Sequence, residues 1–212
     1  KESSAASDVY KRQVFMKIKI SNLSKAYNRT PVLDGLNLEL DDRQPWCLMS
    51  PSGSGKTTLL RLLLGLEQPD QGQISFLENG AVLNQPPRFS AVFQENRLCE
   101  AFSPVDNLAL AAQRTVSREK LQRELALLLP KDCLTQPVYT FSGGMKRRTA
   151  ICRAMVAPSR IIVMDEPFTG LDAEMRGQVI RYVLNRLEGR LLVAATHQAE
   201  EVELLGGRVV RL

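Results

Sequence analysis

The stretch MSPSGSGKTTLL sets Ser50, Pro51, Ser52, Gly53, Ser54, Gly55, Lys56, Thr57 and Thr58 in the order of a phosphate-binding loop, G-x-x-x-x-G-K-[ST], with serine where the first glycine of that pattern stands. Gly53 and Gly55 let the backbone wrap a phosphate, Lys56 reaches the outer phosphates, and the Thr57 hydroxyl can ligate magnesium. A Gly-rich turn that merely opens a helix is the plainer reading. Lys56 weakens it, because an unpaired ammonium there faces the positive end of the helix dipole. A second piece, IIVMDE at residues 161–166, is an apolar run that delivers two acids at its carboxyl end, where open α/β sheets place their ligands. Asp165 would hold magnesium, and Glu166 would polarise an attacking water, the general-base role in phosphoryl transfer to water. Two acids ending a strand are most often solubility devices. Beside a phosphate loop that reading fits poorly.

Such a site needs a strand, a loop and a helix in sequence, and the surrounding text supplies them. VFMKIKISNL and VLDGLNLEL alternate as strands of a half-buried antiparallel sheet. PWCLM, the Gly-rich turn and a helix over about residues 55–64 follow in the order of a mononucleotide site. GQISF and FSAVF read as further short strands. Between residues 95 and 137, VDNLALAAQ and SREKLQRELALLL carry apolar residues three and four apart, the pattern of a helical insert in which Ser117 starts a helix and Pro130 stops it. A second Gly-rich turn and helix (SGGMKRRTAICRAM), the strand RIIVMDE, a helix (AEMRGQVIRYVLNRL) and the strand RLLVAATH complete the alternation. Uninterrupted apolar strands between helices predict a parallel sheet covered on both faces. Gly206 and Gly207 follow helical spacing in QAEEVELL and predict a helix C-cap.

Bulk properties narrow the class. With 212 residues, 44% hydrophobic and 24% charged, the chain suits one large domain or two intimately packed ones. The apolar run at residues 59–66 is broken by Arg61 and is far too short to cross a bilayer. The four cysteines lack zinc or redox spacing, and with no secretory signal they predict a reducing cytoplasm. The formal net charge of +5 is dispersed, with Lys146, Arg147 and Arg148 the tightest group, so direct nucleic-acid binding is not expected. Residues 1–15 read as a disordered tail or a non-native extension, the ordered pattern starting at Met16.

FSGGMKRR, at residues 141–148, resembles the signature of the ATP-binding cassette (ABC) family. The family's other landmarks stand in order: Tyr27 matches the aromatic that stacks on adenine, Gln94 in VFQEN the Q-loop, Asp172 in TGLD the D-loop, and His197 in AATH the switch histidine. The resemblance spans about residues 17–212 and implies an α/β P-loop NTPase with a mainly parallel core sheet flanked by helices, an N-terminal antiparallel β subdomain and a helical subdomain at about 95–157. It implies ATP and Mg2+, with Glu166, His197, Gln94 and Lys56 catalytic and with Thr57, Gln94 and Asp165 at the metal. The nucleotide is contacted by residues 50–58 and Tyr27, and by Ser142, Gly143, Gly144, Met145 and Asp172. In the family two cassettes pair head to tail, so the last five residues act on the ATP held by a second copy. A helix start at Ser142 offers N–H groups to an anion, and a second anion site in one chain needs another ligand end. The family tolerates variation at the first loop position, so an intact site is expected despite Ser50. Were a positive φ required there, serine would add about 1 kcal/mol of strain.

The short insert disfavours the repair and chromosome-organising cassettes, and the single cassette without fused membrane helices disfavours translation factors and most exporters. ENRLCEAFSPVDNLALA is similar to the text of bacterial importer cassettes that touches the permease, which implies permease contacts at residues 94–105, a separate substrate-binding protein, and a place on the inner face of the membrane. Met145 resembles the nitrate, sulfonate and taurine branch, from which FSGGM and EPFTGLD depart. No C-terminal regulatory domain is expected after VVRL. Two other readings stay open: a soluble cassette ATPase serving another machine, and a P-loop kinase, which has no use for FSGGM, or a nucleotide-gated binding module, which binds ATP without turnover.

Overall fold

The computed structural model describes residues 15–51, 53–112 and 116–212. Residues 1–14, which make up nearly all of the expected tail, and Ser52 of the phosphate loop lie outside the described residues. β1 (Met16–Tyr27) pairs antiparallel with β2 (Thr30–Asp41) and, on its other edge, with β4 (Gln71–Glu78), which carries the short β5 (Ala81–Val82). Alternation does the work: Met16, Ile18 and Ile20 point inward and are buried, as a strand period of two requires.

The second sheet is parallel throughout. β3 (Trp46–Leu48), β6 (Phe89–Val92), β7 (Ile161–Asp165), β8 (Leu191–Ala195) and β9 (Arg208–Val210) lie in the order β6-β7-β8-β3-β9. Both of its faces are covered, and successive residues of β7 divide between them. Ile161 and Val163 join one core with β1 and with α1 (Lys56–Leu63), whereas Ile162 and Met164 join the other. That second core is built with α2 (Pro104–Ala111), α3 (Arg118–Leu125), α4 (Gly143–Val156) and α5 (Ala173–Asn185), and α6 (Ala199–Leu205) closes it. Fully burying a residue such as Leu108 or Leu121 contributes about 1.5–3 kcal/mol.

Caps set the helix starts. Ser103, Ser117, Ser142 and Asp172 each accept a hydrogen bond from the backbone N–H three residues on, which satisfies a donor the helix itself cannot. Gly206 ends α6 at φ +59, as the sequence pattern requires. Two details depart from expectation. α3 stops at Leu125, well before Pro130, because the chain turns to bury Leu128 and Leu129 in the core. β5 and β9 are strands that the sequence did not announce; each is short and pairs with a single neighbour.

Candidate nucleotide site

β3 leads into the phosphate loop, and α1 leaves it. Gly55 caps α1 in the left-handed region at φ +94, and a Cβ there would meet Leu33 Cδ2 and Val32 O at 2.9 Å. Glycine is therefore required at this position on two counts. The Lys56 ammonium is buried inside the loop, donating to Ser50 O and, over 2.9 Å, to Pro51 O. Among the described residues Ser54 Oγ is buried without a hydrogen-bond partner. A buried hydroxyl left unpaired beside an ammonium and a helix N-terminus fits an anion.

Ser50 is not strained. It is absent from the residues at positive φ, and its hydroxyl accepts the Leu212 N–H over 2.8 Å while donating to Met49 O over 2.8 Å. The serine that departs from the loop pattern stitches the strand before the loop to the chain following β9.

At the far end of the loop Thr57 Oγ1 donates to Asp165 Oδ2 over 2.8 Å. Burial raises the Asp165 pKa above its usual value; the Thr57 hydrogen bond opposes this, and Glu166 adds to it. Hydroxyl, carboxylate and the Gln94 amide, which lines the same cleft of about 390 Å³, form an all-oxygen donor set that fits a hard divalent cation such as Mg2+. Among the described residues no group of three or more His, Cys, Asp or Glu side chains converges, so such a cation would take its other ligands from phosphate and water.

Glu166 sits at φ +45, uncommon for a side chain with a Cβ. Its N–H donates to Ala195 O over 3.0 Å, and its Oε1 lies 3.3 Å from His197 Nδ1. The His197 turn is held on both sides: Thr196 donates to Glu201, Gln198 N donates to Thr196 Oγ1 over 3.1 Å, and Arg176 of α5 donates to Gln198 Oε1. Tyr27 ends β1 at the rim of the cleft, 41% exposed, with its hydroxyl on Glu67.

The cleft thus gathers Tyr27, Gly53, Gly55, Lys56, Thr57, Thr58, Gln94, Asp165 and Glu166, with His197 against Glu166. Pro51 stands exposed at the loop tip. Ser142, Gly143, Gly144, Met145 and Asp172 do not line this cleft. Ser142 and Gly143 are exposed, and a Cβ at Gly144 would lie 3.5 Å from Leu171 Cδ2, so the signature turn backs onto the Asp172 loop of its own chain. Met145 packs its side chain against the helical core and leaves its backbone to the turn. Sequence reasoning passed over Arg147, which appeared there only as part of a basic group. Its burial among carbonyl acceptors has no signature in spacing.

A family model described as ABC transporter matches residues 33–169. The chain belongs to the ABC transporter family. Among relatives of this cassette, the sulfate/thiosulfate import ATP-binding protein CysA 1 of Agrobacterium fabrum is 36% identical over 92% of this chain and 60% of that protein. The spermidine/putrescine import ATP-binding protein PotA of Marinobacter nauticus is 34% identical over 92% of this chain and 55% of that protein. The cassette therefore spans somewhat more than half the length of these curated relatives. A solved dimeric ATP-binding cassette in a post-hydrolysis state with ADP and Pi superposes with a TM-score of 0.79 at 24% identity, over 92% of this chain and 94% of that one. A putative ABC transporter ATP-binding protein from Pyrococcus furiosus gives 0.79 at 22% identity, over 92% and 97%. At such identities the likeness shows the fold: a P-loop cassette with a parallel sheet flanked by helices and an antiparallel N-terminal sheet.

Proposed function

We propose that the chain is the ATP-binding and hydrolysing subunit of a bacterial ABC importer, in which ATP drives head-to-tail pairing of two copies and separate membrane subunits move a small solute. The observation that carries this reading is the placement of the signature. Ser142 and Gly143 offer helix N–H groups to solvent, outside the cleft of their own Lys56 and Asp165, and a second copy turned head to tail supplies an anion for them. The import role is supported by what the relatives' names say of those proteins.

Within this reading ATP is the substrate. Tyr27 presents a ring face to adenine, the loop N–H groups and Lys56 bind the phosphates, and Thr57 and Asp165 would hold Mg2+ with Gln94. When bound, Mg2+ neutralises charge on the phosphate oxygens. Glu166 accepts the proton of the attacking water, and His197, which shares a contact with the Glu166 carboxylate, orients that water and the outer phosphate.

The partners are permease subunits at residues 94–105 and a substrate-binding protein, with the cassette peripheral on the inner membrane face. Among the described residues no helix is long and apolar enough to cross a membrane. The solute branch read from Met145 is nitrate, sulfonate or taurine, whereas the relatives' names give sulfate/thiosulfate and spermidine/putrescine.

Size-exclusion mass analysis of Glu166→Gln with and without ATP tests the reading. Conversion of monomer to dimer by ATP, abolished by adding Ser142→Arg, is expected. A chain that binds ATP tightly and stays monomeric sinks the homodimer and favours a different partner or a nucleotide-gated binding module.

A further inference from the structure

Two arginines of α4 reach across to the turn that follows β6. Arg147 donates from Nη1 to Phe93 O over 2.7 Å and from Nη2 to Gln94 O over 2.5 Å. Arg153 donates from Nη1 to Arg97 O over 2.6 Å and from Nη2 to Asn96 O over 3.1 Å. A guanidinium is a rigid planar fork, so each arginine fixes two carbonyls at once. The turn between them is tight: Arg97 lies at φ +46, with its guanidinium 4.0 Å from the centre of the Phe93 ring.

Arg147 is only 7% exposed. A buried cation is costly unless hydrogen bonds and opposite charge compensate it. The two carbonyls supply the hydrogen bonds. Burial lowers the Arg147 pKa from its usual value, while the carboxylates of Asp165 and Glu166 act on it through space in the opposite sense. The arginine thus acts electrostatically on Asp165 at the end of β7 and on Glu166 just beyond it, while gripping the carbonyl of the glutamine that lines the same cleft.

Resting on the ATPase reading, we propose that Arg147 is a positioning residue for Gln94: it fixes the Gln94 peptide so that the amide side chain is presented to the metal end of the cleft. Arg153 is the second brace of the same turn. Because α4 begins at the exposed Ser142–Gly143 turn, an anion bound there and the placement of Gln94 share one rigid helix. Arg147 also sets positive charge within electrostatic reach of Asp165 and Glu166.

The test compares the wild type with Arg147→Lys, Arg147→Met, Gln94→Ala and the Gln94→Ala/Arg147→Met double variant. The readouts are ATP turnover with Mg2+, ATP affinity in EDTA, and amide exchange of residues 93–97. Lysine keeps the charge and the aliphatic stem but is a point donor that cannot fork, so Arg147→Lys guards against simple misfolding. Both Arg147 variants are expected to lower kcat by about tenfold or more with metal-free ATP affinity unchanged, and to speed exchange of residues 93–97 by about tenfold. The double variant should be no worse than the worse single, whereas a merely structural role leaves the two effects to multiply. Multiplying effects, or exchange unchanged in Arg147→Lys, overturn the proposal. A wild type that binds ATP without turning it over refutes the ATPase reading, and exchange of residues 93–97 alone then decides for or against Arg147.

Discussion

Thr57 and Asp165, 108 residues apart in sequence, are joined by a 2.8 Å hydrogen bond from the Thr57 hydroxyl to the Asp165 carboxylate. That bond ties the first turn of α1 to the end of β7 and holds both oxygens at the place a cation would occupy. It also leaves a carboxylate largely out of water.

The stability of the metal-free protein should register that burial. An acid whose pKa is raised on folding binds more protons when folded, so its favourable contribution is complete below about pH 4 and is lost as pH rises through the folded value. At pH 7 the burial of Asp165 therefore works against the metal-free fold. Asp165→Asn keeps an acceptor for Thr57 and is expected to raise the metal-free melting temperature at pH 7 by about 2–4 °C, the equivalent of about 1 kcal/mol. The gain should shrink below about pH 4, and Mg2+-dependent ATP turnover should fall by about a hundredfold. Thermal melts at both pH values decide it; a lower melting temperature than wild type at pH 7 contradicts the account.

Ser50 yields a prediction opposite to the one its motif suggests. Restoring the pattern with Ser50→Gly removes the hydrogen bonds of the hydroxyl with Leu212 and Met49, and relieves no strain, because Ser50 is not at positive φ. Urea unfolding should show a loss of about 1–2 kcal/mol. A stabilised Ser50→Gly variant is the contrary outcome.

The strand, loop and helix around Lys56, the acids ending β7 and the alternation of β1 were legible in the sequence because each is a local pattern: a glycine spacing, an apolar run, a period of two. Ser117 and Ser142 were legible as helix starts for the same reason. What escaped was non-local. That Arg147 is buried under the turn at 93–97, or that Ser50 bonds Leu212, depends on which segments the fold brings together, and an arginine in a polar helix reads identically whether it faces solvent or a carbonyl pair. The end of α3 escaped because Pro130 is a strong stop signal and the earlier stop comes from tertiary burial of Leu128 and Leu129.

Tyr27 separates its ring from its hydroxyl. The hydroxyl bonds Glu67, and that bond raises the Tyr27 pKa above its usual value, with Thr58 acting in the opposite sense. Tyr27→Phe should therefore leave ATP affinity within about twofold of wild type, whereas Tyr27→Ala should weaken it about tenfold, the scale of losing one base–aromatic stack. Calorimetric titration with ATP distinguishes them, and equal losses in both variants remove the stacking role.

His197 and Glu166 should fail differently from Lys56. His197→Ala leaves the loop intact and is expected to lower turnover by about a hundredfold while ATP binding stays near wild type. Lys56→Ala removes the ammonium that sits inside the loop and should weaken ATP binding itself. Parallel measurement of kcat and of ATP affinity in Glu166→Gln, His197→Ala and Lys56→Ala tests this; loss of binding in His197→Ala speaks against its role at the outer phosphate.

Because Ser142 and Lys56 of one chain do not meet over one cleft, a head-to-tail pair makes them members of different sites. Two inactive alleles can then complement each other. Mixing a Ser142→Arg chain with a Lys56→Ala chain places both lesions in one composite site and leaves the other whole, so a population built from two null parents regains turnover that neither parent shows. By the same pairing a chain defective at both Ser142 and Lys56 rescues no partner, since it damages every site it joins.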